Sequence, residues 1–148
     1  DGMNNFKPDL FIIDLNLNLK KNLSINNLLS KRRTFIITKK ENKKKVIFFK
    51  KKGFKIIFIK CLSSKEDFKL ILQDVYKLGY SRAFFETGLT FLNSLLNYKL
   101  INDLYILQNS MMLKKNGLNN VSSQLLKKLK LKKIMINLNC DNLYKKEF

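Results

Sequence analysis

The chain has 148 residues, 45% of them hydrophobic, enough for one packed domain and too apolar for a disordered segment. It carries 30 basic and 11 acidic residues, a formal charge of +19, and no histidine. Without an imidazole, these residues hold no Ser-His-Asp triad, no Cys-His dyad and no histidine-ligated metal, and Cys61 and Cys140 fit neither a zinc spacing nor a CxxC redox pair.

In chain order, residues 10–14 form a short apolar run that ends in Asp14 and reads as a buried strand. Residues 15–33 are rich in Asn and Lys and read as irregular chain, with a short helix near residues 25–30. Residues 34–38, Thr-Phe-Ile-Ile-Thr, are β-branched and aromatic and predict a second strand. A polar connection over 39–45 leads to a third strand at 46–49, a turn at 50–53 and a fourth strand at 55–60. Ser63 and Glu66 have capping-box spacing. Phe68, Ile71, Leu72, Val75 and Leu78 then recur at helical spacing, and Gly79 stands where a helix ends, so a helix is predicted over 64–78. Residues 82–85 predict a fifth strand, 89–98 a helix with Leu92, Leu95 and Leu96 inward, and 103–108 a sixth strand. A long loop covers 109–124. Residues 131–138 and 142–146 alternate well enough to predict a closing antiparallel pair. Strands alternating with helices imply a three-layer α/β fold, its sheet mostly parallel with antiparallel closing strands at one edge. Nothing in the sequence divides residues 1–148 into separate domains.

The charge is uneven. Residues 31–60 hold 13 basic groups against Glu41 alone, whereas residues 79–110 sum to zero. Lys, Asn, Ile and Phe are abundant, arginine occurs three times and alanine once, which is the signature of A+T-rich coding. Nucleic-acid readers favour arginine for its bidentate fork, so the basic half reads first as a solvated face. No apolar run is long enough to cross a membrane and no secretory leader opens these residues. The expected location is the cytoplasm, with reduced thiols.

The most informative stretch is the predicted strand-to-helix junction at Phe85, Glu86, Thr87, Gly88, Leu89 and Thr90. Ligands of open parallel sheets bind beyond the carboxyl ends of strands, and a helix start there offers unpaired amides to a phosphate. Gly88 either lets a ligand approach the backbone or permits a positive φ at the turn. Glu86 either accepts hydrogen bonds from a polar ligand or only complements the helix dipole.

Residues 80–108 resemble the second half of the reductase domain of the bifunctional riboflavin-biosynthesis deaminase–reductase family. The family has a strand, then Glu-Gly-Gly or Glu-Ala-Gly, then a helix, then an Asp-Glu-Leu segment before the next strand. The corresponding pieces here are Glu86-Thr87-Gly88, Ser94-Leu95-Leu96 and Leu100-Ile101-Asn102-Asp103-Leu104. Pro8 through Asp14 is similar to a family strand, as are residues 34–38 to the next one. Asn139-Cys140-Asp141 stands where Gly-x-Asp precedes the last family strand, and Asp1-Gly2-Met3 resembles the stretch after its Asp-Pro motif. Thr87 replaces the first glycine and Leu10 the strand arginine. The resemblance spans the whole chain but only the later part of the family's protein, without the deaminase domain or the start of the reductase domain.

The resemblance implies a dihydrofolate-reductase-like fold, NADPH as cofactor and a homodimer. The implied reaction reduces 5-amino-6-(5-phosphoribosylamino)uracil, a phosphorylated aminopyrimidine, to its ribitylamino product. Glu86 falls at the family's substrate-contacting glutamate. Gly88, Leu89, Thr90, Phe91, Leu92, Asn93 and Ser94 fall where it holds the NADPH phosphates, and Leu15 where many members have a cofactor-contacting serine. No residue is assigned as proton donor. Two other readings stand beside this one: a basic nucleic-acid-binding domain, and a catalytically degenerate remnant of the reductase fold.

Overall fold

A computed structural model describes residues 7–20, 29–39, 43–108, 129–138 and 141–148. The chain divides into two compact units, Asp1–Gly79 and Tyr80–Phe148.

In the first unit, β1 (Leu10–Ile13), β2 (Thr34–Thr38) and β3 (Lys55–Phe58) form a parallel sheet in the order β1-β2-β3. Phe11 lies beside Phe35 and Ile12 beside Ile36, while Ile36 and Ile37 pair with Ile56 and Ile57 on the other side. The Phe11 and Phe35 rings stack at 4.5 Å. All five residues of β2 are buried, the apolar Phe35, Ile36 and Ile37 between Thr34 and Thr38, as suits a strand between two parallel neighbours. Leu17, Ile36, Val46, Phe49 and Phe54 close a single cluster, with Leu19, Leu29, Phe48 and Ile56 against it.

The chain between β2 and β3 corrects one expectation. Residues 46–49 are not a strand; they lie inside α1 (Lys43–Lys51). Two adjacent parallel strands need a crossover that returns the chain to the same end of the sheet, and a helix provides it. Val46 and Phe49 are buried three residues apart while Ile47 is 53% exposed, a helical rather than an alternating pattern. Four apolar residues are too few to distinguish the two periods without that topological demand. Gly53 then turns the chain with φ +99°, a conformation that favours glycine.

α2 (Lys65–Lys77) keeps the predicted apolar positions, with Phe68, Ile71 and Val75 buried. Gly79 ends it with φ +97°. The capping box is displaced by one residue: Ser64, not Ser63, is the N-cap, and Asp67, not Glu66, answers it. Ser64 Oγ accepts from the Asp67 amide at 3.3 Å, and Asp67 Oδ2 accepts from the Ser64 amide at 2.8 Å. Both serine–acid offsets exist in the sequence. Asp67 also takes the Ser63 amide and the Cys61 thiol, whereas Glu66 turns to Lys69.

The second unit holds α3 (Leu89–Asn97) and an antiparallel sheet of β4 (Asp103–Gln108), β5 (Lys132–Leu138) and β6 (Asp141–Glu147), ordered β4-β6-β5. Tyr105 pairs with Lys145 and Leu107 with Leu143. Ile134 meets Leu143 on the other side of β6, with an irregularity before Leu138. The predicted closing pair is therefore present, but it does not extend the parallel sheet. Together with β4 it forms a sheet of its own, so the expected single, mostly parallel sheet is replaced by two.

Residues 82–85 are not a strand. Their apolar, aromatic composition suits one, but among the described residues no strand pairs with them, and Phe84 is 86% exposed. The expected helix near residues 25–30 falls largely outside the described residues, as do the loop at 109–124, Asn139 and Cys140, and Asp1, Gly2 and Met3. Among the described residues no helix is long and apolar enough to cross a membrane.

Candidate functional site

The junction singled out in the sequence leads into a helix, although no strand precedes it. Glu86, Thr87 and Gly88 are exposed, and α3 begins at the next residue. Gly88 is the N-cap, with φ −72° and ψ 165°, and it contributes no side-chain cap. The positive-φ explanation for this glycine is thereby removed. What remains is steric: a Cβ added at Gly88 would meet no atom within 4 Å. The surface over the helix start is open.

The first turn of any helix leaves amides without intrahelical acceptors, and they carry the positive end of the dipole. At α3 that supply ends at Leu92, whose amide donates to the Gly88 carbonyl at 3.1 Å. An anion seated here is therefore held by the turn from Gly88 to Phe91 and by the exposed Thr90 hydroxyl. Asn93 and Ser94 lie one turn further in, and the Ser94 hydroxyl donates back to the Thr90 carbonyl at 3.3 Å. Leu92 is half-buried and Leu95 is buried, so this side of α3 faces inward. Only the first half of the predicted stretch 88–94 can face a ligand with its backbone.

Around this start, the Phe85 and Phe91 rings lie 6.2 Å apart and brace the approach to the helix. The Thr87 hydroxyl donates to the Gly88 carbonyl at 3.4 Å. The Glu86 carboxylate sits two residues before the N-cap, in the chain segment that leads into the turn. An open, uncapped helix start suits an anion.

Leu15 belongs to the first unit, just beyond the carboxyl end of β1. Its backbone is committed to the fold: the Leu15 carbonyl accepts from Thr38 Oγ1 at 3.1 Å and from the Lys39 amide at 3.3 Å. The side chain, an aliphatic group, offers a ligand only apolar contact.

Asp14 is the residue the sequence flagged without assigning a task. Its Oδ1 accepts from the Asn18 amide at 3.0 Å and its Oδ2 from the Leu19 amide at 2.7 Å. Between them Leu17 adopts φ +50°, an uncommon conformation for a leucine, and drives its side chain into the core. Lys45 Nζ donates to the Leu17 carbonyl at 3.0 Å. One carboxylate and one ammonium from α1 thus hold the loop beyond β1, at the end of the sheet where ligands of parallel folds bind. The available signal was an acid closing an apolar strand; its partners four and five residues later are ordinary loop residues. Among the described residues no three His, Cys, Asp or Glu side chains gather as a metal site.

No family model matches the sequence, and no curated protein matches it.

Proposed function

We propose that this chain is the later part of a reductase domain of dihydrofolate-reductase-like fold. It acts, within a longer polypeptide, in the NADPH-dependent reduction of 5-amino-6-(5-phosphoribosylamino)uracil in riboflavin biosynthesis. The observation that carries the reading is the open, uncapped start of α3 directly behind Glu86, Thr87 and Gly88. The bound cofactor supplies the hydride. In this reading the backbone of Gly88, Leu89, Thr90 and Phe91 receives a cofactor phosphate, and Leu92, Asn93 and Ser94 build the helix that orients it. Glu86 accepts hydrogen bonds from the pyrimidine or ribose. The functional protein is a homodimer.

Two variants of the longer polypeptide test the assignment. Gly88→Val should weaken NADPH binding by occupying the approach to the backbone. Since a Cβ meets nothing at that position, the loss is not a folding defect. Glu86→Gln should leave NADPH affinity nearly unchanged while raising KM for the pyrimidine or lowering kcat. Residues 1–148 alone should show no reduction above background. If Glu86→Gln abolished NADPH binding and spared the substrate, the two roles would be exchanged. If the longer polypeptide bound NADPH without turning over, the degenerate remnant would be the better description.

A further inference from the structure

The helical state of residues 43–51 changes what their lysines can do. In a strand they would bracket an apolar segment on both sides. In α1, Lys43, Lys44, Ile47, Lys50 and Lys51 recur at helical spacing on the side away from the buried Val46 and Phe49. All five are exposed. The helix contains no acidic residue, and among the described residues no carboxylate pairs with these four lysines. Lys43 and Lys44 also sit in the first turn, where the helix dipole disfavours cations. Coding bias toward lysine does not account for the concentration, because residues 79–110 of the same sequence sum to zero charge. Four exposed cations on one helix face, two of them against the local field and none with a carboxylate partner among the described residues, make a surface suited to a polyanion.

We propose that the outer face of α1, formed by Lys43, Lys44, Lys50 and Lys51 around Ile47, is a sequence-independent docking strip for the phosphodiester backbone of a nucleic-acid duplex. The inference is independent of the reductase reading. From Lys43 to Lys51 the helix rises about 12 Å, a few phosphates along one strand at about 3.4 Å of axis each. Lysine ammonium groups act as point charges on phosphate and read no base edges, as expected of non-specific contact. Single-strand binding needs open aromatic platforms. Here the Phe48 and Phe58 rings lie under Lys52 at 6.0 Å and Lys50 at 5.9 Å. A membrane surface requires an apolar helix face to insert; α1 turns that face to the core and leaves only Ile47 outside.

The test is fluorescence anisotropy of the 148-residue chain with a labelled DNA duplex of about 20 base pairs, over about 50 to 200 mM salt. Four phosphate contacts predict a slope of about −3.6 in log affinity against log salt, or roughly a hundredfold loss across that range. Replacing Lys43, Lys44, Lys50 and Lys51 by Gln, a residue of similar helix propensity, should weaken binding at least tenfold at low salt. Replacing Lys65, Lys130, Lys132 and Lys133 by Gln removes the same charge elsewhere and should change it less than threefold. Equal losses in the two variants would overturn the proposal in favour of net charge alone. Absence of duplex binding at the lowest salt would overturn it outright. Capture by phosphatidylserine vesicles that depends on the α1 lysines, without duplex binding, would replace it by a membrane surface.

Discussion

Both units contain a strand between two partners, yet they put apolar residues to different use. β2 runs between parallel neighbours and all five of its residues are buried, with Ile36 wholly inaccessible. β6 runs between antiparallel neighbours, and its partner β4 buries Leu104 while leaving Tyr105 and Leu107 exposed. Parallel strands are joined by crossovers that lay chain over the sheet faces, so an unbroken apolar strand can be buried on both sides. Antiparallel strands return through short turns and need cover on one face only. The contrast teaches where stability resides: the first unit depends on a shared core, and the second on a ladder with a thin buried side.

Five changes would break or sharpen that contrast. Ile36→Ala should be the most damaging, removing a fully buried side chain from the cluster of Leu17, Val46, Phe49 and Phe54. A loss of roughly 2–5 kcal/mol, read from urea denaturation, is expected of such a cavity. A loss below about 1 kcal/mol would show that the first unit is no better packed than the second.

The cap of α2 comes next. Ser64→Ala should cost about 1 kcal/mol through the lost N-cap bond. Asp67 adds a pH signature. The Ser63 and Ser64 amides and the Cys61 thiol hold its carboxyl well below the ordinary carboxylate range. Its folded pKa therefore lies under an unfolded value of about 3.9. The carboxylate stabilises the fold above that value, and the contribution fades as pH falls toward the folded pKa. The stability gap between wild type and Asp67→Asn should be full near neutral pH and narrow steadily as pH is lowered below about 4. A gap that stayed constant down to pH 2 would remove Asp67 from the cap.

Thr34→Val should act in the opposite direction. Thr34 is 1% exposed and, among the described residues, its Oγ1 has no hydrogen-bond partner. An unsatisfied buried hydroxyl costs about 1–3 kcal/mol, so an isosteric methyl should raise stability by up to about 1 kcal/mol in the same urea assay. A marked destabilisation would reveal a partner for the hydroxyl.

The smallest effect belongs to the second unit. Leu107 is 63% exposed, and Leu107→Ala should shift the urea midpoint by no more than about 0.5 kcal/mol in equivalent stability. A loss approaching that of Ile36→Ala would mean that this face of the antiparallel sheet is covered in solution.

The sequence by itself determined the elements whose signals are local. Thr34–Thr38 is a strand because β-branched and aromatic residues crowd it. α2 is a helix because its apolar positions keep a 3.6-residue period up to a glycine. α3 starts after Gly88, and residues 132–138 and 141–147 pair as two alternating strands. The choice of Ser64 and Asp67 over Ser63 and Glu66 was open, because both pairs have the required spacing and only the reach of the shorter acid to two amides separates them. The candidate site was legible in part: Gly88 stands at the helix start, but only the fold distinguishes the amides that face outward from Leu92, whose amide is taken by Gly88.

Tertiary structure alone decided the rest, because it depends on which strand lies beside which. Val46, Ile47, Phe48 and Phe49 became helical since β2 and β3 are parallel neighbours and the chain had to cross between them. Residues 82–85 have the composition of a strand and, among the described residues, no partner to make them one. β4 joined β6 rather than the parallel sheet. Strand pairing is a contact between residues distant in sequence, and a short apolar run carries no record of its neighbour.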